Sequence, residues 1–145
     1  MKTLIFGLLF FSLNCFGQDA PKGTNKIIIK DTLTADQNYT LIGRTLAENG
    51  YTIESKDKEF GIIKSGPKSA LGTRTTYFLT FSIKDNGIVI AGQVNPNLSM
   101  QFSGMKIEPS YSPIINRGGG SWGRAFKEMD GFASLLGGDK SYFKD

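Results

Sequence analysis

The sequence predicts an α+β domain in which an antiparallel sheet of about six strands carries two helices on one face. Three observations predict it. Two stretches place apolar residues at helical spacing between capping signals, a long hairpin pattern lies between them, and the elements run strand, helix, five strands, helix. The 145 residues fit one domain with one core, and an aromatic content of 12% is too high for a disordered chain.

Residues 26–30 (KIIIK) form a short β-branched strand bounded by charge. A helix over 35–49 follows, with Thr34 as N-cap, Gln37 completing a capping box, Tyr39, Ile42 and Leu46 at helical spacing, and Gly50 where a terminating glycine belongs. Residues 51–56 and 60–65 read as two strands joined by the turn Asp57-Lys58-Glu59, and 66–72 (GPKSALG) as a loop. A hairpin comes next, with 74–84 and 88–94 joined by a type I′ turn at Asn86-Gly87. That turn pairs Ile83 with Ile90, Phe81 with Gly92 and Leu79 with Val94 on one apolar face, so Gly92 makes room for Phe81. After the turn Asn95-Pro96-Asn97, Leu98, Met100 and Phe102 alternate with Ser99, Gln101 and Ser103 in a strand running to Ile107. A loop over 108–120 leads to the second helix, with Ser121 as N-cap, Ala125, Phe126, Met129, Phe132, Ala133 and Leu136 on one stripe, and a stop at Gly137-Gly138.

The expected core is Ile42, Leu46, Leu79, Phe81, Ile83, Ile90, Phe102, Phe126, Met129 and Phe132. The domain therefore spans 25–138, with 139–145 as a C-terminal tail.

The N-terminus has the form of an export signal, since Met1-Lys2 precedes an apolar run over 4–13 that is too short for a stop-transfer helix. Two processing routes compete: peptidase cleavage after Gly17, or lipidation of Cys15. Cleavage is favoured because Asn14 stands where a lipobox wants a small residue. It assigns 1–17 to a signal peptide and 18–24 to a flexible leader, and it removes Lys2 and the single cysteine. The mature chain has no transmembrane span in this reading and is periplasmic or secreted; lipidation would instead tether it to the outer membrane.

Composition narrows the chemistry. The chain has no histidine and one cysteine, which excludes a Ser-His-Asp triad, histidine metal ligands and a Cys-rich zinc site. Lys+Arg number 17 against 13 Asp+Glu, a mild excess that suits anionic lipid or glycan better than nucleic acid. Gly118, Gly120 and Gly123 satisfy G-x-G-x-x-G without the flanking strands of a dinucleotide site, so no cofactor is expected. Weak anion binding by Arg117, Arg124 and the Ser121 helix start is the functional alternative to a plain helix entry. Ser65 and Lys68 match S-x-x-K, but in a loop without companion motifs. Lys56, Lys58, Lys64, Lys68 and Arg74 cluster around the 51–65 hairpin. The acids lie in turns and at surfaces, with no D-x-D-x-D-G calcium loop and no pair marked out for glycoside hydrolysis. Asn38-Tyr39-Thr40 and Asn97-Leu98-Ser99 match glycosylation acceptors by chance.

The segments KIIIKDTLTADQNYTLIGRTLAENGYTIESKDKEFGIIK, FLTFSIKDNGIVIAGQ and INRGGGSWGRAFKEMDGFASLL resemble an uncharacterised family of small exported bacterial proteins with a TATA-binding-protein-like fold. The resemblance covers most of the mature chain and implies that fold and an envelope location, but no reaction.

The expected function is a non-enzymatic envelope protein that binds another envelope protein or a glycan, with no metal and no nucleic acid. A carboxylate-dependent hydrolase of envelope glycan and a purely structural periplasmic domain are the alternatives. The sheet face opposite the helices, with Thr76, Phe78, Thr80, Ser82, Ala91, Gln93, Ser99, Gln101 and Ser103, is the expected contact surface; Phe78, Thr80 and Gln93 are its leading candidates.

Overall fold

The computed structural model describes residues 19–96, 100–102, 105–107 and 110–145, with side chains over 19–96 and 110–145. The expected signal peptide, Cys15 and the side chains of Ser99, Gln101, Phe102 and Ser103 lie outside the described residues. The elements are β1 (Lys26–Lys30), α1 (Ala35–Glu48), β2 (Ile53–Asp57), β3 (Ile62–Ser65), β4 (Lys68–Ser69), β5 (Thr76–Lys84), β6 (Gly87–Asn95), β7 (Met100–Phe102), β8 (Met105–Ile107), β9 (Ser112–Pro113), α2 (Gly120–Leu135) and β10 (Asp139–Phe143). The α+β class is the expected one. The antiparallel sheet is larger than expected, with eight strands: β10-β1-β6-β5-β3-β2 form its path, β4 pairs with β5, and β9 pairs with β6.

Strand alternation puts the core on one face. Ile63, Phe81, Ile90 and Ile27 sit side by side across four strands, with Ile83, Ile88 and Ile29 in a neighbouring row. Both helices cover these rows. Ile42 and Leu46 come from α1, and Phe126, Met129, Phe132 and Ala133 from α2. The described members of the expected core are all buried, joined by Ile27, Ile29, Tyr51, Ile63, Tyr77, Val94 and Ile114.

Helix α1 begins as its sequence dictates. The Thr34 hydroxyl accepts from the Gln37 amide at 3.3 Å, and the Gln37 side chain accepts from the Thr34 amide at 2.9 Å. It ends at Asn49, followed by Gly50 at φ 71°. Asn38, one of the glycosylation-type asparagines, is buried on its inner face.

Five expectations need correction. The β5–β6 hairpin pairs Lys84 with Gly87, Ile83 with Ile88, Phe81 with Ile90 and Leu79 with Gly92, so its loop is Asp85-Asn86 and the register is displaced by two residues. The tip is held from outside: the Asp85 carboxylate accepts from the Ala35 amide at 2.7 Å, and the Asn86 amide donates to the Leu33 carbonyl at 2.9 Å. Asn86 takes the positive φ, at 60°, which asparagine tolerates. A two-residue shift leaves every side chain on its expected face. It gives Gly92 a different task, because a Cβ there would lie 2.6 Å from Ile114 Cδ1 and 2.7 Å from the Phe78 carbonyl oxygen.

The expected strand over 98–107 is instead the small hairpin β7–β8, paired with itself outside the main sheet. The loop over 66–72 contains β4, which pairs with β5. Helix α2 takes Gly119 as N-cap, because the Ser121 hydroxyl, one residue inside the helix, is bonded to the Thr75 hydroxyl at 2.9 Å. The expected tail 139–145 supplies β10, which covers the outer edge of β1. Its hold on α2 is polar: Lys140 donates to Asp130 at 2.8 Å and to Ser134 at 3.0 Å, while the Tyr142 hydroxyl donates to Asp130 at 2.9 Å.

Candidate functional site

Helix α2 has two working faces. One packs on the sheet, and a flank about a third of a turn away carries Ser121, Arg124, Glu128, Gly131 and Leu135, spaced three and four residues apart so that they line up along the axis. The segment from β4 to β5 runs alongside this flank. It is tied there by the Ser121–Thr75 hydroxyl bond and by the Leu71 amide, which donates to Glu128 Oε1 at 3.2 Å.

Between these ties the surface is concave at both ends. Near the start of α2, Thr73, Arg74, Thr75, Pro96, Gly120, Ser121 and Arg124 line a hollow of about 310 Å³. Near its end, a hollow of about 280 Å³ is bounded by Asn49, Tyr51, Lys68, Lys127, Glu128, Gly131, Phe132 and Leu135. Gly131 borders the second one at an open point, where a Cβ would meet nothing within 4 Å.

The inner wall of the second hollow is a hydrogen-bonded chain. The Tyr77 hydroxyl donates to Glu128 Oε2 at 3.4 Å, and the Tyr51 and Tyr77 hydroxyls are 2.7 Å apart. Tyr77 spends its single proton on the carboxylate, so Tyr51 donates to Tyr77. Burial pushes the Tyr77 phenol well above its ordinary range, and its bonds to Tyr51 and the negative charge of Glu128 add to that. Tyr51 is raised too, again by burial first. Both phenols stay neutral at physiological pH and serve as structural donors. Lys68 is equally engaged: its ammonium lies 3.9 Å from the centre of the Tyr51 ring and donates to the Asn49 carbonyl at 2.7 Å, capping α1 with the basic group that helix lacks in its own last turn.

The rim is amphipathic. Leu71, at the apex of the loop, is 87% exposed, and Leu135 is 54% exposed. Arg124 and Lys127 are exposed beside them, and among the described residues neither has an ion-pair partner.

The residues expected from the sequence are dispersed. Ser121 and Arg124 face the first hollow, together with Arg74 of the basic cluster. Arg117 is elsewhere, stacked with its guanidinium carbon 4.6 Å from the centre of the Trp122 ring. Trp122 in turn donates to Ser112 at 3.1 Å. Phe78 is only 9% exposed, since Tyr111 from the loop before β9 packs on it at 5.2 Å and the Lys64 ammonium lies 4.2 Å above its ring. Thr80 and Gln93 border a separate depression of about 250 Å³ with Asn25, Lys26, Pro113 and Asp145, where Lys26 and Asp145 form an ion pair at 2.6 Å. Other basic residues are paired at the surface, Lys58 with Asp36 at 3.1 Å and Lys64 with Glu54 at 3.0 Å.

Two motifs resolve into packing. Ser65 is buried in β3, where its hydroxyl accepts from the Leu79 amide at 2.9 Å. In the glycine-rich entry to α2, a Cβ on Gly123 would come within 3.0 Å of the Gly118 carbonyl carbon, so glycine is needed there for close backbone packing. Among the described residues there is no group of three or more acidic or cysteine side chains placed to hold a metal, and no helix long and apolar enough to cross a membrane.

Sequence reading missed Leu71, Lys127, Glu128 and Leu135. Leu135 did carry a signal, because it is a leucine lying off the apolar stripe of its own helix.

The chain is similar in structure to a DUF4468 family protein from Bacteroides ovatus, with 15% sequence identity, a TM-score of 0.48, and coverage of 83% of this chain and 91% of that one. No family model and no curated protein matches the sequence.

Proposed function

We propose that this is an exported envelope protein that acts by binding, and that its contact surface is the flank of α2 together with the loop between β4 and β5. One observation carries the reading. The groups best suited to chemistry around this surface, Tyr51, Tyr77, Glu128 and Lys68, are tied into internal hydrogen bonds, while the exposed rim presents basic and apolar side chains to solvent. That division suits a contact face more than a reaction centre. Export rests on the apolar N-terminal run, and an envelope location agrees with the family that the sequence resembles. Ser121 and Arg124, singled out from the sequence, belong to the proposed surface. Phe78 does not, because Tyr111 and Lys64 cover it.

The test is photo-crosslinking from position 131, which lines the second hollow, in intact cells that express the full chain. Adducts to envelope components are expected, and Arg124→Glu with Lys127→Glu should remove them without changing the melting temperature, both side chains being exposed. Unchanged adducts in a folded double variant would refute the assignment.

A further inference from the structure

We infer that the partner of this surface is an anionic phospholipid bilayer, with Leu71 and Leu135 entering the headgroup region and Arg124 and Lys127 meeting lipid phosphates. The inference rests on the contact-surface reading above and adds the chemistry of the partner.

The argument starts from the kind of residue exposed. Leucine contributes little to protein interface hot spots, and lysine is depleted from interface cores, where aromatic residues dominate. Leucine beside Arg and Lys on one helix flank is instead the composition of surfaces that lie at a membrane boundary. The geometry agrees. Leu71 sits in the exposed turn between β4 and β5, its amide held by Glu128. Glu128 and Leu135 both line the second hollow, seven residues or about 10 Å of helical rise apart, so the tie from Leu71 to Glu128 brings the loop leucine to the same side of α2. Arg124 and Lys127 stand on the same flank.

Charge is complementary to an anionic surface. The exposed Arg124 guanidinium lines the first hollow beside the Ser121 hydroxyl, whose oxygen accepts from Thr75 and whose proton is left to donate, a pair suited to phosphate oxygens. The one carboxylate on the flank, Glu128, is half-buried and turned toward the Leu71 amide and the Tyr77 hydroxyl. It is therefore drawn away from an approaching bilayer, while Arg124 and Lys127 are exposed.

The experiment is vesicle sedimentation with the chain from Gln18 onward, which contains every helix and strand of the described residues but not the apolar N-terminal run. Vesicles of phosphatidylcholine alone are compared with vesicles of phosphatidylcholine and phosphatidylglycerol. Binding is expected to the anionic vesicles only, and to weaken as salt is added. Leu71→Ser and Leu135→Ser should each lower the partition coefficient about tenfold, and Arg124→Glu with Lys127→Glu by more than tenfold, all with unchanged circular dichroism and melting temperature. Equal partition to both vesicle types, or a folded quadruple variant that binds like the parent, would overturn the bilayer assignment. Competition by inorganic phosphate beyond that of chloride at equal ionic strength would also overturn it, in favour of the free anion. Failure here is separable from failure of the contact surface. If vesicles do not bind but crosslinks from position 131 persist and depend on Arg124 and Lys127, the surface stands and its partner is a protein; if the crosslinks are lost as well, both readings fall.

Discussion

Replacing Tyr77 by phenylalanine tests the hydrogen-bonded chain behind the proposed surface. The ring stays where it is, fully buried and edge-on to Tyr51, so the apolar packing of the core is unchanged. What disappears is one hydroxyl that serves two neighbours: Tyr51 loses its acceptor at 2.7 Å, and Glu128 loses its donor at 3.4 Å. A polar group left unsatisfied in a buried site costs about 1–3 kcal/mol, and that range is the expected loss for Tyr77→Phe. Tyr51→Phe should cost less, about 0.5–1.5 kcal/mol, because Tyr77 keeps Glu128 as acceptor. The double variant removes both hydroxyls and leaves no orphan between them, so its loss should fall short of the sum of the singles by about 1 kcal/mol.

Urea titration at neutral pH measures all three, with the slope held constant as a check that the unfolded state is unchanged. The same chain sets a pH dependence. Tyr77 and Tyr51 titrate above 10.0 in the folded protein, so the folded state holds their protons when the unfolded state has released them. The stability they confer is complete below pH 10.0 and is lost as pH rises beyond it. The double Phe variant should lose less stability on the alkaline side, keeping only the share of Tyr142 and Lys140, whose folded values are also raised. For Tyr142, burial is the main cause; for Lys140, burial opposes the rise but the bond to Asp130 and its neighbours outweigh it. Strict additivity of the two single variants, or an alkaline limb identical in parent and double variant, would show that the hydroxyls are not coupled as described.

Four further outcomes are expected. Phe81→Ala and Phe126→Ala should each cost about 3–5 kcal/mol in denaturant titration, since Phe81 is fully buried against Phe132 at 5.2 Å and Phe126 is a buried member of the same core. Gly92→Ala should cost at least about 1–3 kcal/mol, because its methyl group would press on Ile114 and the Phe78 carbonyl. Thr34→Ala removes the acceptor for the Gln37 amide and should cost about 1 kcal/mol. Intact-mass measurement of the exported form should give a chain beginning at Gln18 without lipid; a diacyl or triacyl increment on a chain beginning at Cys15 would reverse that reading.

What the sequence made legible was local. The capping box of α1 could be read because its partners are three residues apart, and the faces of β5 and β6 because alternation survives any even shift of register. The register itself could not be read from Asn86-Gly87, since it depends on Asp85 and Asn86 reaching the segment before α1, and Asp85 bonds a residue 50 positions away. Strand β10 escaped for a related reason. Its segment DKSYF is polar and short, and pairs with β1 across more than a hundred residues, aided by a clasp on Asp130 that no periodicity announces. The proposed surface was legible only in fragments, because Ser121 meets Thr75 through a bond that spans 46 residues, and Arg124 comes to share a hollow with Arg74 only in the folded chain.

An exposed leucine needs no explanation on its own, since folded proteins leave much apolar surface in water. Leu71 and Leu135 are informative because of what surrounds them. Neither belongs to the buried core, so neither is held in place by a need to fold. Yet Leu135 lines a hollow with Lys127 and Glu128, Leu71 is tied to Glu128, and two basic side chains nearby, Arg124 and Lys127, have no ion-pair partner among the described residues, while the nearest carboxylate is turned inward by Leu71's own amide. Because these four side chains are exposed, changing them separates contact from folding in a way that changing Phe78 cannot: Phe78 lies under Tyr111, and a charge placed there would strand itself beneath that ring. A loss of binding at Leu71 or Leu135 with intact folding therefore bears on the surface alone, whereas the same loss at Phe78 would be indistinguishable from damage to the sheet.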